Sequence, residues 1–393
     1  MVKCLKFVFC IVFFAALALP ALHLFGVKES WIKLGGYETR TTAVPFTFAN
    51  VTNRTYQSTA TEDYAKSFFL RKTFLTTAYE LKDWLNFGLC HYGNSGSMIN
   101  GRGAVLFERP YGKYHLERDD HFDPKEYENG IAKLREIDDF CKSIGADFVY
   151  LLMPDKFQTY PDLMPPWFNW LWNYRNFDIQ TKVAKLCNDK GIKAFDGLAF
   201  VTGLRKKTDK WLYPPGGAHM TPMCCGPMAE ALVTMLNDKG RSHLKINRFL
   251  DVVPTNGVWS VDDDITLGLN TWHNSHLKTN VHYAPVYEQT DTTMNAGGAV
   301  IMGDCFREQL VKIFQDARLF APEKVIKSRR QDERAERYKD VIADLKLVVL
   351  VFQSFNSDRL SEQVKELDMN LKALQKARRT YGASKLEKGS AAR

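Results

Sequence analysis

Between residues 131 and 352, short apolar runs alternate with stretches whose apolar residues recur every three or four positions, and this alternation restricts the chain to few folds. Ile131, Leu134, Ile137, Cys141 and Ile144 share one helical face, Gly145 stops that helix, and 148–153 reads as a fully buried strand. The unit repeats with Ile179, Val183, Leu186 and Cys187, a stop at Gly191, and a strand over 192–195. Pro227 fits the first turn of a third helix that carries Met228, Leu232, Met235 and Leu236 before Gly240. The run 299–302 is a strand that leads at once into a helix bearing Phe306, Leu310, Ile313 and Phe314. The run 345–352 is the last strand, and Val364, Leu367, Leu371 and Leu374 mark a final helix. Strands separated by helices pair in parallel, because parallel neighbours need crossover connections, and such a sheet is covered on both faces. The expected fold is α/β, a mostly parallel sheet in the middle of three layers.

The chain ends bound the compartment. Lys3 and Lys6 precede an apolar run over 7–25, broken by Pro20 and His23, about the length of a bilayer core. Two readings stand: an uncleaved signal anchor over 1–26, or a signal peptide cleaved near Ala16-Leu17-Ala18. Both send the remainder out of the cytoplasm. Residues 27–60 form a spacer, 61–365 the α/β domain, 241–297 an insertion of short polar and aromatic pieces, and 366–393 a helix end with a basic tail. With 45% hydrophobic and 13% aromatic residues the chain can build a real core. Its net charge of +8 is spread among interleaved acids and bases with no nucleic-acid module, so no nucleic-acid partner is expected. Eight cysteines include no CxxC pair, and neither the acidic stretch 119–123 with His115 nor 262–264 has metal-cage spacing. No metal and no cofactor are expected.

The chemistry concentrates at Gly303-Asp304-Cys305-Phe306, between the strand 299–302 and its helix. A glycine permits the tight bend, and the positive end of a helix dipole favours a thiolate or oxyanion there. Cys305 is the expected nucleophile, Asp304 the residue that holds the turn, and Gly303 the bend with an N–H that can serve an oxyanion.

With serine in place of Cys305 this string would be the Gly-Asp-Ser-Phe block of SGNH-type esterases and acyltransferases. The segment from Leu212 to Pro222 resembles the Asp-x-His-Trp-Thr-Pro block of the alginate O-acetylation proteins, a branch in which the base precedes the nucleophile. His219 falls on the histidine, Gly217 on the aspartate and Met220 on the tryptophan. Gly101-Arg102-Gly103-Ala104-Val105-Leu106-Phe107 is similar to that family's Gly-Lys-Asp-Gly-Trp-Leu-Phe string. Pro154-Asp155-Lys156 with Tyr160-Pro161 through Pro165 resembles its Pro-x-Lys and Tyr-Pro-x-x-Leu-Pro strings, and Asp358-Arg359-Leu360 its Glu-Arg-x-Leu. The resemblance runs in order over about 55–365 and implies a three-layer, flavodoxin-like SGNH fold. It further implies O-acetylation of an exported polysaccharide, a membrane tether, and an integral-membrane acyl-transfer partner.

A serine nucleophile needs a histidine to take its proton and an acid to orient that histidine. Cysteine demands less, because thiols ionise within reach of neutral pH and a Cys-His pair acts without a third member. Cys305 for serine and Gly217 for aspartate are therefore consistent as a pair of changes in an active O-acyltransferase, or in an esterase if water enters. The same departures suit an inactive scaffold or glycan-binding subunit.

Overall fold

The computed structural model describes residues 98–117, 122–165, 168, 178–241, 243–257, 259, 260, 265, 282–288, 294–329, 334–357 and 359–382. The chain divides into two compact units, residues 1–100 with 264–278, and residues 101–263 with 279–393. Of the first, the strand β1 (Met98–Asn100) and the buried Ile265 are described. The expected anchor 1–26 and spacer 27–60 lie outside the described residues, among which no helix is long and apolar enough to cross a membrane.

The second unit holds the α/β domain. In chain order its main elements are β2 (Leu106–Glu108), α1 (Arg109–Glu117), α2 (Glu128–Ser143), β3 (Asp147–Met153), α3 (Ile179–Asp189) and β4 (Ala194–Asp196). There follow α4 (Gly197–Arg205), α5 (Pro222–Lys239), β5 (Phe249–Thr255), β6 (His282–Tyr287), β7 (Gly298–Gly303), α6 (Arg307–Asp316), β8 (Val325–Arg329), β9 (Leu345–Gln353) and α7 (Val364–Tyr381). Five strands pair in parallel in the order β4-β3-β9-β7-β8. The α2 and α3 helices end as expected, with Gly145 at φ 75° and Gly191 at φ 76°, the left-handed region where a side chain is strained.

Alternate strand residues face opposite sides, so a buried parallel sheet needs apolar residues at every position. Phe148, Tyr150 and Leu152 of β3, Val300 and Met302 of β7, and Val348, Leu350 and Phe352 of β9 pack in one cluster with α2, α3 and α7. The intervening Val149, Leu151, Ile301, Val349 and Val351 are equally buried and point the other way. On that side α4 lies on β3, α6 on β7 and β8, and α5 on both α4 and α6. The arrangement is a three-layer α/β fold.

One expectation changes. The third helix starts at Pro222, not near Pro227, which stands inside it. Pro222 occupies the first helical position, where a missing N–H costs nothing, and Thr221 is extended just before it. Within 241–297, read from the sequence as an insertion of short polar and aromatic pieces, β5 and β6 form an antiparallel pair, with Phe249, Val252 and Tyr283 in a small apolar cluster of their own.

Strand order decides where a ligand can sit. The connection from β3 runs outward through α3 to β4, that from β7 runs outward the other way through α6 to β8, and β9 lies between β3 and β7. The loops leaving β3 and β7 therefore diverge and open a crevice at the carboxyl ends of the three central strands, the usual ligand position in open α/β sheets.

Candidate functional site

Three strand ends meet at that crevice: Asp155 after β3, Asp304 and Cys305 after β7, and Ser354 with Asn356 after β9. Gly303 closes β7 at φ 131°, and a Cβ there would stand 1.9 Å from the Val351 carbonyl oxygen. Only glycine lets β7 and β9 approach so closely while the chain turns. Asp304 then locks the turn. Its Oδ1 accepts from the Phe306 N–H at 3.1 Å, and its Oδ2 accepts from the Gln353 N–H at 2.6 Å and Asn356 Nδ2 at 3.1 Å. A carboxylate so bound joins the ends of β7 and β9.

Cys305 follows on this rigid corner and is exposed. The Glu308 N–H donates to the Cys305 carbonyl at 3.1 Å, so the residue enters the first turn of α6. Its own N–H has no hydrogen-bond partner among the described residues. By contrast the Asp304 N–H is engaged with the Val351 carbonyl at 3.3 Å. Arg307 Nη1 braces the corner by donating to the Gly303 and Asp304 carbonyls at 3.1 and 2.6 Å.

His219 reaches the same corner on a loop that four side chains hold. The Tyr160 hydroxyl accepts from the Leu212 and Tyr213 N–H groups at 2.8 and 3.2 Å. The Tyr213 hydroxyl donates to the Pro154 carbonyl at 2.5 Å, and Thr221 Oγ1 donates to the Trp211 carbonyl at 2.7 Å. The fourth is Lys156, a buried ammonium that donates to the Pro214, Pro215 and Gly217 carbonyls at 2.5, 2.7 and 2.9 Å. A buried charge is tolerated only when its donors are taken up, and three carbonyls take up all three here. Lys156 and Tyr160 both come from the quoted strings around Pro154. The half-buried His219 ring stands 5.3 Å from the Phe306 ring, centroid to centroid, so it packs on the residue next to Cys305. Gly217 brings no side chain to this loop: its carbonyl accepts from Lys156 and its N–H donates to the Pro214 carbonyl at 3.1 Å.

A second cluster escaped the sequence reading. His115 Nε2 lies 2.6 Å from Asp155 Oδ2, and Ser354 Oγ donates to that same oxygen at 2.6 Å. All three side chains are buried. Asp155 also caps the turn Lys156–Thr159 by accepting from the Gln158 N–H at 2.9 Å. Burial alone would raise the Asp155 pKa, but the charge and hydrogen bond of His115, with the bonds from Ser354 and Gln158, hold it below the usual carboxylate range. The one sequence signal was an aspartate inside the Pro-x-Lys string.

The depressed Asp155 pKa fixes a sign. Below the ordinary carboxylate value the unfolded chain binds more protons than the folded one, so stability falls as pH drops toward the folded pKa. Asp155→Asn should lower stability at neutral pH by about 2 kcal/mol, the cost of a weakened buried hydrogen-bond set. It should also flatten the decline below about pH 4. Urea midpoints for both proteins across that range measure the difference, and parallel pH profiles would contradict the assignment.

No protein-family model matches the sequence, and no curated protein matches it. Among solved structures the chain is similar to the O-acetyltransferase domain of Pseudomonas putida AlgJ, at 15% identity and TM-score 0.43, over 70% of this chain and 99% of that one. It is similar to Pseudomonas aeruginosa AlgX at 13% identity and TM-score 0.45, over 69% of this chain and 67% of that one. It is also similar to Bacillus cereus PatB1 with a sulfonyl adduct at 9% identity and TM-score 0.43, over 67% and 95%.

The cysteines sort by exposure. Cys141, Cys187, Cys224 and Cys225 are buried thiols outside any disulfide, while the Cys305 thiol is exposed. Burial pushes the Cys187 thiol up to about 12 and raises Cys141 and Cys224 as well. Iodoacetamide at neutral pH should therefore modify Cys305 at least ~100-fold faster than any of those three, because the thiolate is the nucleophile and access limits the others. Peptide mapping over a time course reads the ratio, and comparable rates would show that the crevice does not present the thiol. Among the described residues no three His, Cys, Asp or Glu side chains are grouped to hold a metal ion.

Proposed function

We propose that the chain is an acyl-transfer protein in which Cys305 carries the acyl group as a thioester and His219 moves the proton. The observation that carries this reading is the corner itself. An exposed thiol stands at the end of a central strand, at the entry to a helix, with its own N–H unengaged among the described residues and an imidazole packed on the adjoining Phe306. A carbonyl carbon bonded to Sγ would have its oxygen within reach of that N–H and of the positive end of the α6 dipole. Asp304 serves the turn and Gly303 the close approach of β7 to β9, so neither needs to enter the chemistry.

The Ser-to-Cys and Asp-to-Gly departures from the alginate O-acetylation pattern support a thiol mechanism, since Cys-His pairs need no third member. The acceptor in this reading is a hydroxyl of an exported polysaccharide, the acyl donor is delivered by an integral-membrane partner, and residues 1–26 tether the domain on the extracytoplasmic side. Hydrolysis of acyl esters uses the same site with water as acceptor.

Incubation with p-nitrophenyl acetate should leave one acetyl group on the peptide that contains Cys305, located by digestion and mass spectrometry. Acetylation confined to other residues, or absent, would overturn the nucleophile assignment. The second reading, a non-catalytic glycan-binding or scaffolding subunit, is favoured by Gly217, which puts no carboxylate where the family's acid stands.

A further inference from the structure

We propose that Tyr111 is a second hydrogen-bond donor of the acyl-transfer site, its hydroxyl binding the carbonyl oxygen of the acyl group while Cys305 attacks. The inference rests on the reading of Cys305 as nucleophile and adds to it a residue from a different element, outside every motif quoted above.

The geometry starts from α1. Tyr111 and His115 are four residues apart on that helix and so share a face. His115 fixes where the face points, because its Nε2 lies 2.6 Å from Asp155 Oδ2, in the crevice. Asp155 accepts from Ser354 Oγ at 2.6 Å, and the preceding residue, Gln353, donates its N–H to Asp304 at 2.6 Å. Asp304 adjoins Cys305. The face of α1 that carries Tyr111 is thus turned, through His115, toward the loop after β3, whose Asp155 is joined to the end of β9 by Ser354.

The environment of the phenol agrees with that placement. Tyr111 is half-buried, and its hydroxyl has no hydrogen-bond partner among the described residues. Burial first, and then the charges of Glu108, Cys305, Asp304 and Asp155, raise its pKa. All three crevice groups therefore lie within electrostatic range of the hydroxyl, and it stays protonated, a donor throughout the working pH range. A phenol that finds no acceptor in the protein is available to one on a substrate.

In the acylation step the Cys305 thiol passes its proton to His219 and its sulfur attacks the acyl carbon. The carbon–sulfur bond forms and the carbonyl π pair moves onto oxygen. That oxygen accepts from the Cys305 N–H and the Tyr111 O–H. Return of the pair restores the carbonyl, the ester carbon–oxygen bond breaks, and the leaving oxygen takes the proton back from His219. Tyr111 neither gains nor loses a proton. It acts only where charge develops, so its contribution appears in the transition state and not in ground-state binding.

The test compares two reactions of the same sulfur in the intact protein. Acylation by p-nitrophenyl acetate passes through an oxyanion, whereas alkylation by iodoacetamide does not. Tyr111→Phe keeps the ring and removes only the hydroxyl. It should slow acetylation of Cys305 by about 100-fold, as loss of one oxyanion donor does, and leave alkylation within twofold of wild type. Acetylation at the wild-type rate overturns the proposal. Equal slowing of both reactions also overturns it, because the hydroxyl would then be acting on the thiol. Failure of wild type to acetylate Cys305 while the thiol still alkylates would remove the nucleophile reading itself, and with it the role of Tyr111.

Discussion

On the proposed reading of Cys305 as the acyl carrier, cells in which Cys305→Ala replaces the wild-type protein are expected to export polysaccharide that lacks acyl groups. Without sulfur no thioester forms, and loss of a covalent nucleophile costs on the order of 10⁴-fold or more in rate. Fold and abundance should be unchanged, because the side chain is exposed and its corner is held by Asp304, Gly303 and Arg307. Cys305→Ser should fare nearly as badly. Gly217 supplies no carboxylate, and an oxygen nucleophile needs its histidine oriented by an acid. Adding Gly217→Asp to the serine variant should recover part of the activity. The backbone at 217 is not in the left-handed region, and Lys156 Nζ lies 2.9 Å from the Gly217 carbonyl, near enough to balance a new carboxylate. Acetyl content of the purified polymer, read by NMR, decides the matter. Full acetylation with Cys305→Ala would leave the scaffold reading standing.

Gly303→Ala should be among the most damaging substitutions in the chain, though it adds a single methyl group. The new Cβ would stand 1.9 Å from the Val351 carbonyl oxygen, backbone that cannot swing aside, and φ is 131°. Backbone strain and overpacking each cost about 1–3 kcal/mol, so a loss of roughly 4 kcal/mol is expected. In a domain of this size that corresponds to a fall in Tm of roughly 10 °C. The crevice should open with it, because β7 and β9 carry Asp304 and its Gln353 and Asn356 donors. Gly203→Ala is the matched control. Gly203 lies inside α4 with nothing within 4 Å of an added Cβ, and alanine there should be neutral or stabilising by up to about 1 kcal/mol. Thermal unfolding of the two variants should differ in sign, and equal Tm values would contradict the account of the β7–β9 approach.

Much of the fold is written locally. The helical periods before Gly145 and Gly191, the apolar runs that became β3, β7 and β9, and the final helix α7 are each read from a dozen or so neighbouring residues. The same holds for the placement of Cys305 just after a strand and just before a helix. These features depend on side-chain period and on glycine, and both act within a few residues.

The elements that were missed depend on partners. Strand β8 reads as Val-Ile-Lys-Ser-Arg, too polar for a buried run. It exists because it pairs with β7 and because Ser328 is satisfied by the Tyr338 hydroxyl at 2.8 Å. Strands β5 and β6 each contain a proline and find their register only against each other. The start of α5 was misread because Pro227 is a weaker signal than the extended Thr221 followed by Pro222, whose role shows only in the backbone.

The sequence by itself determined that this chain forms a covered parallel sheet and that a thiol stands at a strand-to-helix turn, since period, glycine and apolar run length are properties of short segments. Only the tertiary structure decided which groups surround that thiol. His115 and Asp155 are 40 residues apart, and Ser354 and Asp155 are 199 apart. Ser354 reaches the Asp155 oxygen that His115 also meets because the order β4-β3-β9-β7-β8 puts the last strand beside β3. Local propensity carries no information about that order, which is chosen by how the whole set of apolar faces can be buried at once.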